Sequence, residues 1–79
     1  MDERAAQISK ECLRLLFELR VKKGISHQKL ADQTGLSRSY MGSLEKGLRR
    51  PTVEVVVKLA LALGVKFSHI VAQSEKAVK

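Results

Sequence analysis

The sequence predicts an all-α protein of five helices, and three observations carry that prediction. Apolar residues recur at helical spacing, and no stretch sustains the apolar/polar alternation of a strand. Gly24, Gly35, Gly47 and Gly64 fall where periodic stretches end, and glycine is the residue that most readily takes the left-handed conformation closing a helix. Ser26, Ser37 and Thr52 fall where the next stretches begin, and a hydroxyl there can satisfy an unpaired backbone N–H.

The first helix is expected over 2–23. Ile8, Cys12, Leu15, Leu16 and Leu19 form its apolar stripe. Asp2 and Glu3 suit its positive end, and Lys22 and Lys23 its negative end. Ser26 starts a short second helix from His27 to about Thr34, with Leu30 and Ala31 as its apolar residues. Leu36 bridges to Ser37, which caps a third helix from Arg38 to Lys46 whose inward residues are Met41 and Leu44. The loop Gly-Leu-Arg-Arg-Pro follows. Thr52 then caps a fourth helix over 53–63, with Val53, Val56, Ala60 and Leu63 as its core face and Leu59 beside them. Its valines are weak helix formers, but its caps and length outweigh that preference. A fifth helix is expected over 68–77.

The chain has 79 residues, which suits one domain over 1–79. A core this small supplies only a few kcal/mol (roughly 3–5), so packing and self-association must carry its stability. Cys12 is the single cysteine. No disulfide is possible within the chain, and Cys12 reads as a small buried hydrophobe in a reducing cytoplasm. No cysteine–histidine cluster has metal-ligand spacing, and no cofactor is implied. The N-terminal Met-Asp-Glu-Arg-Ala-Ala-Gln stretch lacks the apolar region of a signal peptide. The apolar run over 53–65 is broken by Glu54 and Lys58 and is too short to span a membrane. Neither a phosphate-cradling glycine loop nor a paired-carboxylate cluster is present, so the chain does not read as an enzyme.

Charge is concentrated in the middle. Over 20–50, Arg20, Lys22, Lys23, Lys29, Arg38, Lys46, Arg49 and Arg50 face only Asp32 and Glu45, a balance of +6 out of the chain's +7. A basic centre on a nearly neutral frame points to a polyanionic partner, although a merely solvated basic face is the plainer reading.

Helices two and three are too short to bury a face alone. Packed steeply across the Gly35-Leu36-Ser37 turn, they form a helix-turn-helix. Here the sequence resembles the helix-turn-helix of phage repressors and Cro, the XRE family. Ala31, Gly35, Met41 and Leu44 occupy its small, turn and apolar positions. LFELRVKKGISHQKLA and LSRSYMGSLEKGLRRPTVEVVVKLALALGV extend the likeness to roughly Leu16–Val71. Arg38, Ser39 and Tyr40 are similar to the recognition-helix start of restriction–modification controller proteins, which are short members of that family, as are antitoxins. The resemblance implies a compact five-helix, lambda-repressor-like fold and a sequence-specific regulator of transcription. It also implies an ion pair between Arg20 and Glu45 that orients the third helix. At the first position of helix two, where the family usually places glutamine, this chain has His27, with Gln28 next.

An α-helix fits the DNA major groove, N-terminus first. Arg38, Ser39, Tyr40 and Ser43 are the expected base readers. A guanidinium fork matches guanine O6 and N7, while a phosphate contact alone is the other reading of Arg38. Ser37, His27 and Gln28 at helix N-termini, with Lys46, Arg49 and Arg50, are the expected phosphate contacts. A homodimer would double the contacts on a pseudo-palindromic operator. Leu61, Phe67, Ile70 and Val71 are its expected interface, against the alternative that they pack within one protomer. Double-stranded DNA and a second copy are thus the expected partners, with RNA polymerase or another protein as a further candidate. The competing reading is an antitoxin-like module that mainly binds a partner protein.

Overall fold

The computed structural model describes residues 3–78. Its helices are α1 (Glu3–Lys22), α2 (His27–Thr34), α3 (Arg38–Glu45), α4 (Val53–Ala62) and α5 (Phe67–Ala77), and the described residues contain no strand. The expected helix start at Asp2 lies outside the described residues. Three starts have the local chemistry that the sequence predicts. Ser26, Ser37 and Thr52 are extended cap residues whose hydroxyls accept the N–H of Lys29, Tyr40 and Val55. The fifth helix starts one residue earlier than expected, at Phe67, behind Lys66, whose side chain makes no capping bond.

Leu16, Leu30, Met41, Leu44, Leu59 and Leu63 are fully enclosed, so one core draws on α1, α2, α3 and α4, with Leu63 at the C-terminal cap of α4. Burying each such side chain is worth about 1.5–3 kcal/mol against leaving it in water. α2 packs on α3 and α4, and α1 packs chiefly on α5. The first helix therefore has its main partner in the last one.

That partnership corrects the stripe expected for α1. The buried residues are Cys12, Leu13, Leu16 and Phe17, while Ile8, Leu15 and Leu19 are half-buried at the edge. Two overlapping apolar stripes run along this helix, and α5 together with α3 and α4 selects the one containing Leu13 and Phe17. Val53 is a second correction. As the first residue of α4 it is 69% exposed and contributes nothing to the core face. Ile70 is the third. It is buried in the protomer's own core and offers no surface to a second copy.

Candidate nucleic-acid interface

The turn between α2 and α3 is closed by hydrogen bonds of Gly35 and Thr34. Gly35, at φ 75°, donates its N–H to the Ala31 carbonyl at 2.8 Å. Thr34 is buried; its hydroxyl donates to the Leu30 carbonyl at 2.8 Å and accepts the Leu36 N–H at 3.3 Å. Thr34 is not among the residues that the sequence predicts for the site. Its signal in the sequence is a hydroxyl directly before the glycine stop, where a side chain can turn back on the helix and forward to the loop.

This turn projects the first residues of α3. Arg38 and Ser39 are exposed, and Tyr40 is half-buried with its ring against the core. Ser43 is half-buried, and its hydroxyl donates to the Ser39 carbonyl at 3.1 Å, leaving oxygen lone pairs as its outward chemistry. The Ser37 oxygen accepts the Tyr40 N–H at 3.0 Å, so its own proton is what it can offer a phosphate. A Cβ added to Gly42 would meet nothing within 4 Å, so the fold itself does not require glycine in the middle of α3.

Beyond α3 the cations gather. Lys46, Arg49 and Arg50 are exposed, with Leu48 standing 74% exposed among them. Among the described residues, Arg38, Lys46, Arg49 and Arg50 form no ion pair and no side-chain hydrogen bond. Gln28 is engaged differently: its amide donates to Asp32 at 2.9 Å along α2.

Arg20 and Glu45 face each other, but their nearest atoms are 4.0 Å apart, which is too far for a hydrogen bond. The short contacts go elsewhere. Arg20 donates to the Ile25 carbonyl at 2.7 Å, tying α1 to the chain leading into α2, and its Nε is buried with no partner. Glu45 Oε1 lies 2.8 Å from His27 Nε2, joining the end of α3 to the start of α2. Glu45 thus forms an ion pair with Arg20 of α1 at 4.0 Å and a shorter contact with His27 of α2, a second partner that the sequence does not foretell.

Two short helices locked at a glycine turn, the second presenting uncommitted polar residues, define the helix-turn-helix class of nucleic-acid-binding proteins. Residues 16–70 match the Helix-turn-helix family. An uncharacterized HTH-type transcriptional regulator of Sinorhizobium fredii, y4dJ, is 38% identical over 58 residues, spanning 73% of this chain and 75% of that protein. Control protein C.BamHI of Bacillus amyloliquefaciens is 35% identical over 68% of this chain and 74% of its own length. The crystal structure of the restriction–modification controller protein C.AhdI from Aeromonas hydrophila superposes with a TM-score of 0.70 at 40% identity, covering 82% of this chain and 97% of that one. The chain belongs to the helix-turn-helix family, and it is a DNA-binding transcriptional regulator. Among the described residues no single helix is long and apolar enough to cross a membrane.

Proposed function

We propose that this chain is a single-domain cytoplasmic regulator, without catalytic activity, that binds a pseudo-palindromic operator as a homodimer, in the manner of a restriction–modification controller. The observation that carries the reading is the unpaired cationic surface: Arg38 at the start of α3, and Lys46, Arg49 and Arg50 beyond its end. Arg38, with Ser39, Tyr40 and Ser43, reads base edges, and the three later cations grip phosphate on either side. Leu61, 73% exposed, with the half-buried Phe67 and Val71, supports a self-complementary patch at the α4–α5 corner. A two-fold through that corner would set the recognition helices about one DNA turn (~34 Å) apart.

Selection from random duplexes tests this directly. The expected product is an inverted repeat with half-sites about 10 base pairs apart, centre to centre. A single asymmetric half-site would refute the dimer. For a dimer neutralising about six to eight phosphates, log K should fall with log salt at a slope near −5 to −7. A flat dependence would refute the phosphate contacts. In light scattering, Leu61→Asp should convert a dimeric wild type to monomer without changing the bases selected.

A further inference from the structure

The contact between His27 and Glu45 constrains the chemistry of the histidine as well as its position. An ionised carboxylate only accepts hydrogen bonds, so the Nε2 lying 2.8 Å from Glu45 Oε1 must carry the ring proton. In the neutral ring, Nδ1 is then a bare acceptor. Among the described residues no protein group bonds to Nδ1, and the side chain is 37% exposed. A phosphate is also an acceptor, so the neutral ring offers it nothing. Only the imidazolium can hold Glu45 through Nε2 and still donate outward through Nδ1.

The location makes this consequential. His27 is the first residue of α2, at the helix end that attracts anions. Its partner Glu45 is followed directly by Lys46, with Arg49 and Arg50 a few residues on. The charged groups facing the ring from neighbouring elements are Glu45 of α3 and, behind it, Arg20 of α1 at 4.0 Å from the carboxylate. On its own helix, Lys29 is exposed and Asp32 is held by Gln28. A neutral ring thus leaves the Glu45 charge beside an otherwise cationic surface, and a protonated one offsets it.

We propose that the phosphate contact expected of His27 is made only by the imidazolium, so that DNA affinity is coupled to pH through the His27–Glu45 bond. Each head takes up one proton from solvent, on Nδ1, when it binds at a pH where the free ring is neutral. The inference rests on the duplex-binding reading above.

The test is fluorescence anisotropy with a mixed-sequence duplex at fixed ionic strength, from about pH 8 to about pH 6. Wild-type affinity should rise as pH falls, by up to about tenfold per pH unit for each proton taken up. His69→Gln should keep that slope. His27→Gln should bind with little pH dependence, because an amide donates at any pH in this range. In the DNA-free protein, nitrogen NMR of His27 should show the proton on Nε2. A His27→Gln slope equal to wild type, a flat wild type, or a neutral ring protonated on Nδ1 would overturn the proposal while leaving DNA binding intact. A wild type that binds no duplex at any pH would refute the duplex-binding reading itself, and this proposal with it.

Discussion

Along the outer face of α1, Arg14 bonds Glu11 at 2.6 Å and Glu18 at 2.8 Å, and Lys22 reaches Glu18 at 3.4 Å. Across α3 and the loop after it, Arg38, Lys46, Arg49 and Arg50 bond to no side chain among the described residues. Both surfaces are exposed and rich in long charged side chains. The first is a ladder of pairs one helical turn apart, whose fields largely cancel. The second keeps its field, and a polyanion can neutralise it with release of counterions. Charge content therefore does not mark a binding surface by itself. What marks it is charge that the fold leaves without a partner.

The largest expected effect comes from removing the frame that holds these two surfaces in place. Ile70→Lys puts a charge into the core beneath α5 and should cost about 3–5 kcal/mol, enough to abolish a cooperative thermal transition in circular dichroism. A folded Ile70→Lys variant would return that residue to the surface. Next in size, the unpaired cations should separate into two kinds. Arg38→Ala should cost about 1–3 kcal/mol on the selected operator and far less on a mixed duplex. Arg50→Ala should weaken both duplexes alike and make the salt slope shallower by about 1 per head. Titrations showing identical behaviour would remove the distinction between base reading and phosphate contact.

A smaller effect should come from the turn that aims α3. Thr34→Val keeps the shape of the side chain but leaves the Leu36 N–H without its acceptor, and chemical denaturation should show a loss of about 1 kcal/mol. No loss would mean that the hydroxyl is dispensable to the turn. The smallest effect belongs to α1. The hydrogen bond from the Arg14 guanidinium holds the Glu11 carboxyl below the usual carboxylate range; burial opposes it, and the charge of Arg14 adds a smaller push in the same direction as the bond. A lowered carboxylate stabilises the fold above its ordinary titration range, and that contribution fades as pH falls through the lowered value. Solvent screens so exposed a pair. Arg14→Ala should move the Glu11 carboxyl titration in NMR upward to its ordinary position, with the melting temperature at neutral pH and the affinity for duplex both unchanged. A loss of duplex affinity on Arg14→Ala would place α1 in the interface and end the contrast between the two surfaces.

The helix-turn-helix and three of the helix starts are legible in the sequence because their causes are local. A hydroxyl ahead of a periodic stretch finds an N–H three residues on, as at Ser26, Ser37 and Thr52, whatever the rest of the chain does. Gly24, Gly35, Gly47 and Gly64 all take positive φ at the ends where the sequence places them. Met41 and Leu44 of α3, spaced by one helical turn, are both buried as that spacing requires.

The features that escape the sequence depend on which distant surface arrives. Periodicity alone allows α1 to turn either of two overlapping stripes inward, and the packing of α5 decides for Leu13 and Phe17. Ile70 carries the same apolar side chain on a dimer surface as in a core, and only the packing of α5 against α1 and α4 buries it. Glu45 has two basic residues within reach. Arg20 gives one guanidinium nitrogen to the Ile25 carbonyl and holds another 4.0 Å from Glu45, while the start of α2 brings His27 within hydrogen-bonding distance of the same carboxylate. Helix starts and turns come from bonds between residues a few positions apart, so the sequence by itself determines them. A stripe's direction, a side chain's burial and a carboxylate's choice of partner are set by contacts between segments far apart in the chain, and those exist only once the helices have packed.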